Sequence, residues 1–141
     1  MRLTHGTHAY KLAMPIVYEA GLKIYAEHGK TLLEWPGREL IKDMPAAWDE
    51  TRFIEGLPAN HIIIARRKRS DWYVAGMTDS ARTVVIPLNF LDTGKGYNAL
   101  IFSDDTHQTM KRELIEVKTG SSLILDLLER GGFACRISLK D

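Results

Sequence analysis

The sequence predicts a mainly β protein with an N-terminal helix, α+β overall, in which about seven short strands form an antiparallel β-sandwich. Apolar residues near the N-terminus recur at steps of three and four, which is the period of one helix face. From residue 61 onward, short runs of β-branched and aromatic residues alternate with turn residues, as expected for strands. The chain has 141 residues, 45% of them hydrophobic, which is enough to enclose a core without disulfides or a structural metal.

The first predicted element is an amphipathic helix over residues 7–28. Its apolar face consists of Ala9, Leu12, Ala13, Ile16, Val17, Ala20 and Ile24. Gly29 suits the position after a helix, and His28 suits the last turn because a cation there favours the negative end of the helix dipole. Pro15 removes one backbone donor, so we expect a kink or a division into two helices.

Residues 30–60 are predicted to connect this helix to the strands. Proline and glycine residues divide the stretch into a short helix at 38–43 and an extended strand at 46–53. The strands that follow are predicted at residues 61–68, 72–77, 83–90, 97–103, 113–119, 123–128 and 133–139. The change in pattern places a domain boundary at about residue 60.

The composition excludes several functional classes. A net charge of +1 argues against a nucleic-acid partner, because such binding relies on long-range attraction to phosphate. No run of about 18 apolar residues is present, so no membrane-spanning helix is predicted. The N-terminus lacks the apolar stretch of a secretory signal, so we expect the chain to stay where it is made. The single cysteine, Cys135, excludes an internal disulfide and leaves the compartment unknown.

The acidic pair Asp49-Glu50, with Arg52 close by, is the pattern that most resembles a catalytic site. Glycosidases need two carboxyl groups that face one another at a separation of about 5 Å or more. Neighbouring residues of a strand point to opposite faces, so these two are not expected to act together. We favour a structural interpretation, in which one carboxylate pairs with Arg52 or caps a turn.

Four aromatic residues allow two interpretations: Trp35, Trp48, Trp72 and Tyr73. Their rings resemble the sugar-stacking surface of a carbohydrate-binding module. Aromatic residues are also the commonest large core residues of small β domains, and we favour the core.

The remaining patterns are incomplete. His5 and His8 have a spacing that zinc sites use but lack a third ligand nearby. Asp104-Asp105 lacks the spaced oxygen ligands of a calcium loop. The basic run at 66–69 alternates between two faces of a strand, which predicts a solvated hairpin tip. We therefore predict no metal site and no cofactor in this chain.

Several segments together resemble the C-terminal end of glycoside hydrolase family 97, a family of α-glucosidases and α-galactosidases. The segments are 6–14 (GTHAYKLAM), 16–19 (IVYE), 41–52 (IKDMPAAWDETR), 64–68 (IARRK), 71–78 (DWYVAGMT), 86–91 (IPLNFL) and 131–134 (GGFA). In order and spacing they cover nearly the whole chain. The chain departs from the family's pattern at Pro15 and at Ala20-Gly21, where the family has Ser-Pro.

The resemblance implies that residues 1–59, with the helix at 7–28, the helix at 38–43 and the strand at 46–53, are a remnant of the last units of a catalytic (β/α)8 barrel. Residues 60–141 would form the C-terminal β-sandwich, an oligomerisation-type domain. The family's catalytic carboxylates and calcium ligands lie upstream, so no catalytic residue is assigned here. Asp49, Glu50 and Arg52 remain candidates for a supporting role. The parent enzyme would cleave α-glucosidic or α-galactosidic bonds and would be periplasmic or secreted.

Our first hypothesis is therefore a C-terminal glycosidase fragment that acts as an accessory domain and is inactive by itself. The helix must cover its apolar face by packing on the sandwich or against a second copy, so we expect a homo-oligomer. Further expected partners are the missing barrel and an oligosaccharide, but neither nucleic acid nor membrane. The alternative is a free-standing carbohydrate-binding module that uses Trp48, Trp72 and Tyr73. A third hypothesis is a small enzyme that uses Asp49 or Glu50.

Overall fold

The computed structural model describes residues 6–18, 36–42, 44–45 and 47–140. The helices and strands of these residues are α1 (His8–Val17), α2 (Arg38–Ile41), β1 (Glu50–Leu57), β2 (His61–Lys68), β3 (Asp71–Thr78), β4 (Arg82–Pro87), β5 (Tyr97–Asp104), β6 (Met110–Val117), β7 (Ser122–Leu127) and β8 (Gly132–Leu139).

The strands form two antiparallel sheets. Six strands form the larger sheet in the order β1-β2-β3-β8-β5-β6, and β4 pairs with β7 in the smaller one. The last strand of the chain, β8, therefore lies between β3 and β5 at the centre of the larger sheet. This arrangement confirms the predicted mainly β fold with an N-terminal helix.

The larger sheet is buried on both faces because its central strands carry apolar side chains on both. On one face, Trp72 and Val74 of β3 belong to a core that includes Val84 and Ile86 of β4. The other face of β3 presents Tyr73, Ala75 and Met77 to the apolar side of α1. The molecule thus has three layers, with the β4-β7 pair and the helices on opposite sides of the six-stranded sheet.

The start of α1 agrees with the prediction. Thr7 is the N-cap, and its side chain accepts a hydrogen bond from the backbone N–H of Tyr10. The helix buries Ala9, Leu12, Ala13, Ile16 and Val17, which are five members of the predicted apolar face. It ends at Val17 because Tyr18 is extended, and residues 19–28 of the predicted helix lie outside the described residues.

The short helix α2 begins at Arg38, as predicted. Its last residue is Ile41. Leu40 is buried in the same core as α1, so α2 adds to the layer of helices.

The strand predicted at 46–53 is observed at Glu50–Leu57, as part of the larger sheet. It pairs with β2 from Glu50↔Arg67 to Leu57↔His61, with a register shift between Phe53 and Glu55. The β1-β2 hairpin therefore spans residue 60, where the sequence pattern predicts the domain boundary. The observed bounds of β1 differ from the predicted ones because β1 buries few side chains, so its apolar alternation is weak.

Exposed side chains also explain why the bounds of β6, at the opposite edge of the larger sheet, differ from the predicted ones. The strand predicted at 113–119 is observed at Met110–Val117, and its side chains are exposed at most positions. In contrast, the prediction of 61–68 matches β2. Strands with buried side chains carry an apolar signal, and edge strands with polar side chains do not.

Candidate functional site

The acidic pair lies where β1 meets the β2-β3 hairpin. Asp49 donates its backbone N–H to the carbonyl oxygen of Arg67 (2.8 Å) and accepts the backbone N–H of Arg69 at Oδ2 (2.7 Å). Glu50 accepts from Nε of Arg52 at 2.6 Å and from Nε of Arg67 at 3.2 Å. Asp49 thus caps the hairpin turn and Glu50 pairs with Arg52, in agreement with the structural interpretation.

These contacts hold both carboxylates in their charged form. The backbone N–H of Arg69, followed by the charge of Lys68, holds the pKa of Asp49 below its usual range. Hydrogen bonds from Arg52 and Arg67 lower the pKa of Glu50. A general acid in glycoside hydrolysis needs a raised pKa, so neither group is suited to that role.

Two of the aromatic candidates are buried, and a third, Trp48, is partly buried against the same core as Tyr73. Trp72 is 5% exposed and its ring centroid lies 4.6 Å from that of Phe90. Tyr73 is 2% exposed, on the opposite face of the sheet, and meets Trp48 edge-on at 5.2 Å. Neither ring presents a face to a sugar, so burial favours the core interpretation over a carbohydrate-binding surface. Trp35 lies outside the described residues.

The histidine and acidic patterns form no metal centre in the described part of the chain. No three His, Cys, Asp or Glu side chains come together there in a way that could hold an ion. His5 lies outside the described residues. Asp104, considered above for calcium, accepts three hydrogen bonds from protein donors instead. No described helix is long and apolar enough to cross a membrane.

Arg66 is a buried anchor that the sequence did not reveal. The basic run was predicted to be a solvated tip, but Arg66 is only 4% exposed. Its Nε donates to the carbonyl oxygen of Ile16 (2.6 Å) and its Nη2 donates to that of Val17 (3.0 Å), while Nη1 reaches Thr51 Oγ1 (2.8 Å). The guanidinium therefore satisfies carbonyls at the C-terminus of α1, where a cation is favoured.

Asp104 is a second buried anchor, at the opposite end of α1. It is 4% exposed, and its Oδ1 accepts from the hydroxyl of Thr7 at 2.6 Å. Its Oδ2 accepts from the backbone N–H groups of Leu128 (2.8 Å) and Gly132 (3.0 Å). Burial raises the pKa of Asp104, although these three hydrogen bonds oppose the shift.

An apolar groove of about 800 Å³ runs between α1 and the β1-β2 hairpin. Its wall includes Met14 and Tyr18 from the helix side and Phe53, Leu57 and Ile62 from the hairpin. The described residues that line it include no pair of carboxylates at glycosidase spacing, since Asp79 is the sole acidic residue among them. The groove therefore offers an apolar surface rather than a hydrolytic site.

The two edges of the larger sheet differ in regularity. β1 has a register shift and is followed by Pro58, features that discourage pairing with another strand. β6 pairs with β5 residue by residue from Tyr97↔Val117 to Asp104↔Met110, without a shift. No described strand pairs with the outer side of β6, which is thus a regular, eight-residue strand edge.

Comparison with known families and proteins gives consistent matches. A family model described as "Glycosyl-hydrolase 97 C-terminal, oligomerisation" matches residues 47–138. A retaining alpha-galactosidase of Bacteroides thetaiotaomicron is 31% identical over 96% of this chain and 21% of its own length. A probable retaining alpha-galactosidase of Streptomyces bingchenggensis is 30% identical over 89% of this chain and 20% of its length. The chain therefore spans about a fifth of these relatives.

Solved structures share the architecture as well. A glycoside hydrolase family 97 enzyme from Pseudoalteromonas sp. strain K8, in complex with panose, superposes with a TM-score of 0.92 at 29% identity. The match covers 99% of this chain and 23% of that enzyme. A beta-arabinopyranosidase shares the fold at 24% identity, with a TM-score of 0.79 over 94% of this chain and 21% of its own.

Proposed function

The chain belongs to the glycosyl-hydrolase 97 C-terminal family, and from this we propose that it is the accessory, oligomerisation-type domain of an α-galactosidase-like enzyme. The observation that carries the proposal is the extent of the match, because 99% of this chain corresponds to only 23% of a complete family 97 enzyme. The catalytic carboxylates of the parent would then lie in the remaining part of the enzyme.

The state of Asp49 and Glu50 supports this division of labour. Both carboxylates are held charged by hydrogen bonds from Arg69, Arg52 and Arg67. A retaining glycosidase needs one carboxyl group that is protonated and one that is a free nucleophile, about 5 Å apart across the substrate. Asp49 and Glu50 serve the junction between β1 and the β2-β3 hairpin instead.

The family description also supports self-association, and we propose that the chain forms a homo-oligomer. Exposed apolar side chains at Phe53, Leu114 and Ile124 provide surface that a second copy could cover. The decisive measurement is the mass of the 141-residue chain by light scattering after gel filtration. We expect a dimer or larger species from about 1 µM to about 100 µM, the range in which weak protein association is resolved.

The catalytic part of the proposal is tested with a chromogenic aryl α-galactoside. The purified chain should release no more product than buffer does. The matched control is Glu50→Gln, which should behave in the same way. Turnover by the unmodified chain that is lost in Glu50→Gln would overturn the assignment and would make Glu50 a reacting group.

A further inference from the structure

We propose that the homo-oligomer is a two-fold dimer in which the free edge of β6 pairs antiparallel with β6 of a second copy, centred on Leu114. This proposal rests on the proposed function, since it names the surface through which the chain self-associates. It would join two six-stranded sheets into one continuous sheet.

The first argument is that β6 is open and regular. Every second residue of an edge strand directs its backbone N–H and C=O away from the sheet, where another strand can bind them. β6 has eight residues, MKRELIEV, without proline, glycine or a register shift. The other edge, β1, is interrupted by a shift at Phe53/Glu55, so β6 is the better template.

The second argument is that, among the registers that pair most of β6, one alone places no like charges opposite each other. A two-fold axis perpendicular to a sheet keeps each face on its own side, so residues that lie opposite each other must share a face. Centring the axis on Leu114 places Arg112 opposite Glu116 of the second copy, twice, and Leu114 opposite itself. Like charges never lie opposite in this register, which matters because such pairs destabilise sheets.

The neighbouring registers are excluded by the same rule. Centring on Glu113 places the two Glu113 carboxylates opposite each other, and centring on Arg112 does the same with two guanidinium groups. Centring on Ile115 places Arg112 opposite Lys118 on both sides of the axis. Among the registers centred on residues 112–115, which pair most of β6, only the Leu114 register combines opposite charges with an apolar pair. Centring on Val117 would also place Glu116 opposite Lys118, but that register pairs only the end of the strand.

The charged groups of β6 retain capacity for these cross-dimer contacts. Arg112 donates from Nε and Nη2 to the two carboxylate oxygens of Glu39, at 2.7 and 2.8 Å. A guanidinium has five N–H donors, and no hydrogen bond among the described residues uses Nη1, which the proposed dimer would direct to a second carboxylate. Glu116 accepts from Lys140 at Oε1 (2.7 Å), and within the described part of the chain no donor is bonded to Oε2, which the second copy would use.

The apolar residue at the axis is also exposed. Leu114 is 60% exposed on the single chain, beside Leu100 of β5, which is buried. In the dimer, two Leu114 side chains would contact each other directly, as an opposite pair in adjacent strands does. The pair would extend the apolar layer below the helices across the dimer axis.

Disulfide capture tests this register. Two residues that lie opposite across an antiparallel pair have Cα atoms about 4.5–5.5 Å apart, within the range that a disulfide bridges. Leu114→Cys should therefore give a covalent dimer under mild oxidation. The matched control, Ile115→Cys, faces Glu113 of the other copy, and its two sulfurs belong to Cα atoms about 8 Å apart. It should give at least tenfold less covalent dimer. Cys135 is buried and should not compete.

A second pair of variants measures the association itself. Leu114→Arg places two guanidinium groups opposite each other and should weaken dimerisation at least tenfold by light scattering. Val85→Arg changes a comparably exposed side chain on β4, on the smaller sheet, and should leave the mass unchanged. Circular dichroism of both variants checks that the fold is retained.

The outcomes separate this proposal from the one on which it rests. An oligomeric chain that gives no covalent dimer with either Leu114→Cys or Ile115→Cys would overturn edge pairing while leaving an oligomerisation domain. An oligomer cross-linked by Ile115→Cys rather than Leu114→Cys would overturn the register. A monomer at every concentration would overturn self-association altogether.

Discussion

Arg66 and Asp104 fix the two ends of α1 to the sheet. The guanidinium binds the last carbonyls of the helix, and the carboxylate binds the N-cap residue Thr7. Each charge complements the helix dipole at its own end, positive at the C-terminus and negative at the N-terminus. The position of α1 is thus set by directional hydrogen bonds in addition to apolar contact.

Gly131 marks the most restricted backbone position beside Asp104. A Cβ atom there would lie 1.9 Å from Oδ2 of Asp104 and 2.6 Å from the carbonyl oxygen of Leu128. We expect Gly131→Ala to lower the free energy of unfolding by about 1–3 kcal/mol, because the loop must move. Urea denaturation measures the change.

The control for this prediction is Gly96→Ala. A Cβ at Gly96 meets only the side chain of Lys140, at 3.8 Å and beyond, so the change should stay within about 0.5 kcal/mol. Equal effects of the two substitutions would show that the contact with Asp104 is not what limits residue 131.

The buried carboxyl of Asp104 predicts a pH dependence of stability. Burial raises its pKa in the folded chain, so between the unfolded value, about 4, and the raised value the folded state binds more protons than the unfolded state. The free energy of unfolding contributed by this group therefore falls as pH rises through that window. The control is Asp104→Asn, because asparagine has nearly the same shape as aspartate but does not titrate.

Denaturant titrations of both proteins at a series of pH values from about 4 upward measure the difference. The stability of the unmodified chain minus that of Asp104→Asn should decrease with rising pH and then level off. A difference that grows with pH would show that the hydrogen bonds from Thr7, Leu128 and Gly132 outweigh burial.

At the scale of elements, α1 should detach from the sheet when its C-terminal anchor is removed. Arg66→Met keeps the length of the side chain but leaves the carbonyls of Ile16 and Val17 without their donors. We expect a loss of about 2–4 kcal/mol in the free energy of unfolding, the range for charged hydrogen bonds and for groups left unsatisfied. The measurement is urea denaturation monitored by circular dichroism.

The matched control is Arg67→Met, one residue away. Arg67 is partly exposed and contacts Glu50 and the carbonyl oxygen of Arg69. Exposed pairs of this kind contribute about 0–1 kcal/mol. A loss as large as that of Arg66→Met would show that the basic run acts as a whole and that the helix contact is not special.

The elements differ in how far the sequence predicts them. Most side chains of β2, β3 and β8 are buried and apolar. Runs of apolar residues therefore mark these strands in the sequence, and their positions can be predicted. The edges β1 and β6 are mostly exposed, so nothing in their sequence marks where they begin. Arg66 escapes prediction because its partners lie 49 and 50 residues away, and Asp104 because Thr7 lies 97 residues away.

At the scale of the whole molecule, Cys135 reports on the integrity of the layered core. It lies in β8, is buried, and burial raises the pKa of its thiol far above the usual range. Thiolate is the reactive form, so thiol reagents should leave the native chain unlabelled. Labelling should rise along the same urea curve as the loss of circular dichroism.

Labelling well before the main transition would contradict this expectation. It would show that β8 separates from β3 or β5 while the rest of the chain stays folded. The natural control is the same reagent on fully denatured protein, which should react with one equivalent, since the chain has one cysteine.

Because the larger sheet is covered on both faces, the choice of where to cut this chain determines whether it can be transferred to another protein as a folded unit. The family match starts at residue 47, but a chain that began there would lack α1. Tyr73, Ala75 and Phe102 would then be exposed to solvent on the helix side of the sheet. Arg66 and Asp104 would lose their hydrogen bonds to Ile16 and Thr7. Anyone who grafts this module onto another enzyme must therefore carry the segment from Gly6 along with it. The resemblance assigns α1 to the catalytic barrel, but the contacts of α1 are with the larger sheet, so it belongs to the same folding unit as the sheet.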